Sequence, residues 1–200
     1  MARAALGCLI AVIVGIAIVA LWFGGTYNSL VRQSQAVDAQ WGQVQAVYQR
    51  RADLIPNLVA TVKGAANFEK STYIAVAQAR ARVGQINIPP NITSNPQSFA
   101  QYAAAQDGLS SVLTHLLAVA ENYPQLQASE NFLTLQSQLE GTENRIAVQR
   151  MRYNDLARQY DTSLQTFPTN IVAGMFASRF PPKQYFQAQP GAQNAPQVKF

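Results

Sequence analysis

The sequence predicts an all-α protein: an N-terminal transmembrane helix followed by an antiparallel four-helix bundle with long, heptad-patterned first and last helices. Three observations carry this. Ala4 to Gly25 contains no charged residue and is dominated by Leu, Ile, Val and Ala. From Tyr27 a seven-residue rhythm begins, with Tyr27, Ser34, Trp41, Tyr48, Ile55 and Val62 in one set. Leu30, Val37, Val44, Arg51, Leu58 and Ala65 form the interleaved set, which together make the a/d seam of helices packing at a shallow angle. No segment shows the period-two alternation and hairpin turns of strands.

The first element, residues 1–25, is read as the anchor. About 22 uncharged residues in a helix rise roughly 33 Å, enough for a hydrocarbon core of about 30 Å. Trp22, Phe23 and Tyr27 cluster at its C-terminal end, where aromatic rings favour the membrane interface. A cleaved signal peptide would carry a shorter apolar run and a more basic start than Arg3 alone. Arg3 and the α-amino group lie before the span and Arg32 lies after it. That balance leans towards a cytoplasmic N-terminus and a bundle outside the cytoplasm.

Residues 26–167 are expected to hold the bundle. The first helix continues from the anchor without a linker. A second, Ala-rich helix covers Phe68 to Gln85, with Tyr73, Val76, Ala77 and Val83 inward. Gln85 to Pro96 is a loop by its prolines and asparagines. A third helix runs from about Gln97 to Asn122 and stops before Pro124. Its expected inward residues are Phe99, Tyr102, Leu109, Leu113, Leu116 and Leu117. The fourth has the clearest seam, from Phe132 through Leu139, Thr142, Ile146, Tyr153 and Tyr160 to Phe167. Short connections between four helices argue for antiparallel neighbours. Residues 168–180 form a short apolar segment, and 181–200 an extended or disordered tail rich in Gln, Pro and Ala.

Composition narrows the function classes. Only 12% of residues are charged, with a net charge of +5 spread along the chain. No basic arm or aromatic-basic alternation suggests nucleic acid as a partner. The single cysteine, Cys8, and the single histidine, His115, cannot build a disulfide framework or a Cys/His zinc site. His115 lies in an apolar helical run and reads as structural. No phosphate-binding loop, His-Glu-x-x-His or G-x-S-x-G elbow is present. No catalytic residue, metal site or cofactor is expected, and the chain is read as not an enzyme.

The stretches "YNSLV" (27–31), "WGQVQAVYQRRADLIPNLVATVKG" (41–64), "ENFLTLQSQLEGTENRIAVQRMRYND" (130–155) and "APQVKF" (195–200) resemble the bacterial LemA family. The resemblance covers nearly the whole chain. It implies one N-terminal membrane helix and a four-helix bundle in the bacterial inner membrane, and it implies no established reaction.

Within "QRRADLIPNLV" two arginines and an aspartate sit on or beside the seam. If the first and fourth helices are antiparallel with Phe167 level with Tyr27, facing positions sum to about 194, since both rise about 1.5 Å per residue. Arg51 then faces Thr142 and Glu143, and Asp53 faces Glu140 and Gly141, where glycine would permit close approach. A polar layer of Arg50, Arg51, Asp53, Glu140, Glu143 and Arg145 is therefore expected to fix helix register. Carboxylates beside that many arginines read as ion-paired rather than as a metal or acid/base site. Pro56 lacks the amide that would bond to Ala52, and a helix kink is expected there.

Ile171, Val172, Met175, Phe176 and Phe180 form an apolar group at the membrane end, with Arg179 and Lys183 at its polar edge. They either cap the bundle or dip into the headgroups together with Trp22, Phe23 and Tyr27. Val198 and Phe200 alternate in the tail and could dock on a partner. The resulting expectation is a non-enzymatic scaffold at the inner membrane. Its partners would be the lipid bilayer, further copies of itself, or an unidentified membrane protein such as a protease or signalling complex for which it acts as adaptor.

Overall fold

The computed structural model describes residues 2–187, and the side chains of residue 7 and residues 9–187. Six α-helices account for most of them: α1 (Ala2–Lys63), α2 (Lys70–Gln85), α3 (Pro96–Ala120), α4 (Pro124–Gln127), α5 (Glu130–Gln165) and α6 (Thr169–Met175). A 3-10 turn at Ile92–Ser94 lies between α2 and α3. No strand is present among the described residues.

The anchor and the first bundle helix are one element. α1 has 62 residues, a length of about 93 Å at 1.5 Å per residue. Its apolar start is exposed, with Leu9, Ile13, Ile16, Val19 and Leu21 all more than half accessible. By length and composition this part of α1 is able to cross a membrane. From Leu30 onward the seam turns inward. Leu30, Val37, Trp41, Val44, Tyr48, Ile55, Leu58 and Val62 are all buried, and so is Arg51. Burying an aliphatic side chain of this size contributes about 1.5–3 kcal/mol, so the seam is what commits this half of α1 to packing. The helix runs through Pro56 to Lys63. It ends in a Gly64-containing turn in which Asn67 takes a positive φ of 62°, a conformation asparagine tolerates better than most residues.

α5 packs along α1 in the opposite direction. Gln40 reaches Gln149, Tyr48 meets Arg150, and Arg51 meets Glu143. α2 packs against α3 and α1, α6 against α5 and α1, and α4 against α5. Helix starts are fixed locally. The Asn95 side chain accepts from the Ser98 amide with Pro96 just inside α3, and Ser129 accepts from the Phe132 amide at the start of α5.

Two apolar clusters fill the interior. The one nearer the membrane end is aromatic, built on Trp41, Phe99, Tyr102, Tyr153 and Phe186. The distal one is aliphatic, built on Ile55, Leu58, Val62, Leu109, Leu113, Leu116 and Leu139.

The structure differs from the sequence reading in several places. α2 starts at Lys70 and buries Thr72, Val76 and Ala79; Ala77 is exposed and Tyr73 only half-buried. A helix this rich in alanine offers little contrast between its faces, so periodicity is a weak guide there. The chain after α3 makes the extra turn α4, which buries Leu126. Gly141 faces open space with nothing near its missing Cβ, so it serves no close approach to α1. Phe167 lies beyond α5 and is 75% exposed.

The stretch Pro181 to Gln187 has no regular secondary structure but is firmly docked. Lys183 and Phe186 are buried. The Lys183 amide donates to Asp161, the Gln184 amide to the Thr93 carbonyl, and the Phe186 amide to Asn154, whose own amide donates back to the Phe186 carbonyl. This stretch is called the strap below.

Candidate functional site: a polar layer, a strap and a membrane-end collar

Arg51 is the largest fully buried polar side chain in the bundle. It sits on the α1 seam one turn beyond Tyr48, at the boundary between the aromatic and aliphatic clusters. Its guanidinium pairs with Glu143 of α5 at 2.8 Å. It also donates to Ser110 and to the Gln106 side chain of α3, and at 3.2 Å to the Gln106 carbonyl. Ser110 donates to the second Glu143 oxygen at 3.1 Å. One charge from α1 thus ties α3 and α5 together at a fixed height. The Glu143 side chain is 37% exposed, so its charge is partly solvated while that of Arg51 is not.

Only Arg51 and Glu143 of the sequence-expected layer come together here. Arg50, Asp53, Glu140 and Arg145 are exposed. Asp53 accepts from Gln49 on its own helix, and Glu140 accepts from Gln136 on its own helix. Successive residues on a helix are 100° apart, so Arg50 and Asp53 cannot share the seam with Arg51. Gln106 and Ser110 complete the layer from α3. The signal for Gln106 is that it holds an inward position in the series Tyr102, Gln106, Leu109, Leu113.

A second bridge lies one turn along. Arg150 of α5 pairs with Asp107 of α3 at 2.6 Å and donates to the Tyr48 hydroxyl at 2.6 Å. Its guanidinium also lies over the Tyr48 and Phe186 rings. Burial pushes the Tyr48 phenol up to about 12, against the pull of Arg150. Burial alone would lower Arg150, but Tyr48 and Asp107 outweigh it and its pKa is raised.

The strap is held by a third polar group. Lys183, with 5% of its side chain exposed, pairs with Asp38 of α1 at 2.7 Å and donates to Thr93 at 3.1 Å. Asp161, also buried, accepts from the Lys183 amide and from the Tyr185 hydroxyl. Lys183 was expected at the polar edge of a membrane-facing helix; it is instead turned inward, because Asp38 and Thr93 supply the oxygens it needs.

At the membrane end, Phe23 and Tyr27 of α1 meet Phe176, with centroids 6.1 and 5.1 Å apart, and Tyr27 meets Phe180 at 5.3 Å. Of the residues expected at the interface, Val172 and Phe180 are buried in the bundle and close its end. Ile171, Met175, Phe176 and Trp22 remain exposed, joined by Phe167. Together they form an apolar collar where α1 leaves the bundle. Val198 and Phe200 lie outside the described residues.

These features sit on a chain whose residues 40–200 match the model of the LemA family. The chain belongs to the LemA family. The matched region takes in the Arg51 layer, the strap and the collar beyond α5. Relatives include Magnetosome protein MamQ 2 of Paramagnetospirillum magneticum, 26% identical over 180 residues, covering 82% of this chain and 65% of that protein. Protein LemA of Metamycoplasma hominis is 25% identical over 149 residues, covering 74% and 64%. Magnetosome protein MamQ of Magnetospirillum gryphiswaldense is 23% identical over 180 residues, covering 82% and 65%. The chain spans just under two thirds of the length of these relatives.

Proposed function

We propose that this LemA-family chain is a non-enzymatic, membrane-anchored helical scaffold that self-associates at the bacterial inner membrane, with its bundle outside the cytoplasm. The observation that carries this reading is the continuity of α1. One unbroken helix passes from an exposed apolar segment into the buried seam, so bundle and anchor move as one rod. The polar groups described above serve the same end. Arg51, Arg150 and Lys183 are each committed to an acidic partner and to further hydrogen bonds within the bundle. Apart from the buried Arg51 Nε, which has no hydrogen-bond partner among the described residues, these groups are engaged within the bundle, which suits setting register rather than awaiting a substrate.

The experiment is to size the detergent-solubilised full chain by light scattering. A mass that is a multiple of 21.8 kDa after subtraction of detergent supports the scaffold, and a clean monomer overturns self-association. Affinity purification from native membranes supplies the contrast. Recovery of a stoichiometric second protein would make the chain an adaptor instead. For sidedness, a cysteine introduced at Met151, which is 58% exposed on α5, should react with a membrane-impermeant maleimide in intact spheroplasts.

A further inference from the structure

A small polar pocket of about 150 Å³ opens between α1 and the chain that leads into the strap. Val31, Gln35 and Asp38 line it from α1, and Arg179, Phe180 and Lys183 from the other side. The collar fixes its height. Arg179 lies between Phe176 and Phe180, whose rings meet Tyr27 with centroids 5.1 and 5.3 Å apart. Along α1, Val31 is about 6 Å beyond Tyr27 and Asp38 about 16 Å.

The pocket carries a net positive charge. Asp38 is the one carboxylate lining it among the described residues, and it is bound to Lys183 at 2.7 Å. Arg179 is exposed and makes no ion pair among the described residues. The Lys183 ammonium has three protons. Asp38 and Thr93 accept two of them, which leaves the third only the face of Tyr160, 5.8 Å to the centroid.

We propose that this pocket holds the phosphate of an anionic phospholipid from the bilayer that α1 crosses. Headgroups extend roughly 5–8 Å past the hydrocarbon on each side. With the aromatic rings of the collar at the hydrocarbon edge, the Val31 end of the pocket lies among them. The Arg179 guanidinium is the group that can take two phosphate oxygens at once, and the Gln35 amide and the third Lys183 proton are further donors within the pocket. The volume suits a phosphate group and is too small for a drug-sized ligand. A zwitterionic headgroup would bring its own cation against Arg179. The acyl chains then run down the same side of α1, where the exposed Ala20 precedes Asp38 by about five helical turns. This proposal rests on the membrane-anchored reading above and not on self-association.

The test uses the full chain in phosphatidylcholine liposomes. Ala20→Trp is the reporter, and Trp22→Phe removes the tryptophan about 200° around the helix. Trp41 is buried about 31 Å farther along α1 and serves as the unquenched background. Phosphatidylglycerol or phosphatidylcholine with brominated acyl chains is titrated in, and quenching of the reporter gives their relative affinity. Phosphatidylglycerol should be favoured about fivefold, the effect of one cation on an anionic headgroup. Arg179→Gln should bring the ratio to about one. Arg32→Gln removes an equal charge that is exposed on α1 at similar height but does not line the pocket, and it should leave most of the preference intact. Equal losses in the two variants would mean diffuse attraction and overturn the pocket. Quenching by both lipids without preference would overturn it while leaving the anchor in place. No quenching by either lipid would overturn the anchored reading and the pocket together. Loss of the preference on adding millimolar glycerophosphoglycerol at constant ionic strength would make the ligand a soluble phosphodiester and overturn the lipid assignment.

Discussion

The Arg80 guanidinium of α2 donates from Nε to the Ala52 carbonyl of α1 at 3.1 Å. Ala52 is the residue whose helical partner is Pro56, which has no amide to give. The proline therefore frees one carbonyl, and a side chain from the neighbouring helix takes it. Removing the donor by Arg80→Met should cost about 0.5–1 kcal/mol in the native chain, as for a hydrogen bond with solvent access. In a Pro56→Ala background the helix amide returns, and the same change should cost almost nothing. A double-mutant cycle from urea titrations in detergent measures the coupling; additive costs would mean that Arg80 and Pro56 are unrelated.

The Arg51 layer should respond unequally to its two ends. Glu143→Ala strands a fully buried guanidinium, and the loss should approach the low end of the roughly 3–5 kcal/mol seen when a buried pair is broken, since Glu143 is partly solvated. Arg51→Met leaves the half-exposed Glu143 in water but leaves Gln106 buried without its donor, at about 1–3 kcal/mol. Combining Arg51→Met with Gln106→Leu should recover most of that loss. The readout that separates register from stability is the Gln40–Gln149 neighbourhood. A cysteine pair placed there should trap as one register in the native chain and as several in the apolar double variant.

How far this layer is legible in the sequence depends on which helix supplies each member. Arg51 can be read as inward because it falls on an unbroken heptad, and its pairing with Glu143 follows from the equal rise of two antiparallel helices. The four charged neighbours Arg50, Asp53, Glu140 and Arg145 read alike in one dimension, but helical rotation puts them on outer faces. Gln106 and Ser110 are harder, because the Pro/Asn-rich loop before α3 leaves its height against α1 undetermined. The strap is hidden for a different reason. Lys183 and Asp38 are 145 residues apart, and nothing local in a Gln- and Pro-rich stretch announces a buried lysine. The long seam of α1 is visible because it repeats; single long-range polar contacts do not.

Alkaline pH should loosen the bundle through its buried phenols. Burial raises Tyr48 and Tyr160 to about 12 in the folded chain, against about 10 when unfolded. Between these values the folded state holds more protons than the unfolded state, so stability falls as pH rises. The contribution is complete below pH 10 and is lost as pH climbs towards 12. Tyr48→Phe should shallow this decline. Urea midpoints at pH 9, 10 and 11 test it; equal slopes for the two proteins would remove Tyr48 from the account.

The strap should fail more readily from the Asp38 side than from the Lys183 side. Asp38→Ala leaves the Lys183 ammonium buried with only Thr93 and the face of Tyr160 for company. That should cost about 3 kcal/mol. Lys183→Met keeps the buried stem and returns Asp38, 42% exposed, to water, so the cost should stay within about 1–2 kcal/mol. Limited proteolysis in the strap offers a local readout. Cleavage after Tyr185 should accelerate strongly in Asp38→Ala and little in Lys183→Met, and the reverse order would show that Lys183 is held by something other than its carboxylate.

The collar makes the last prediction, which concerns where the bilayer ends. Phe167, Ile171 and Met175 are 75%, 50% and 67% exposed, a cluster of apolar side chains beside the point where α1 leaves the bundle. The Phe176 contacts with Phe23 and Tyr27 fix its height on α1. Phe23 lies within the uncharged segment, so a membrane that covers this segment also meets the collar. In the full chain reconstituted into liposomes, an environment-sensitive fluorophore on Met175→Cys should be shielded from iodide. The same fluorophore on Met151→Cys, slightly less exposed in the protein at 58% but far from the collar on α5, should be quenched freely. Both measurements need the Cys8→Ser background. Equal quenching at the two sites would place the whole bundle clear of the bilayer and leave the collar free for another protein. Shielding that persists in detergent at high dilution would trace instead to packing within the chain, so the liposome-specific difference is the quantity that decides.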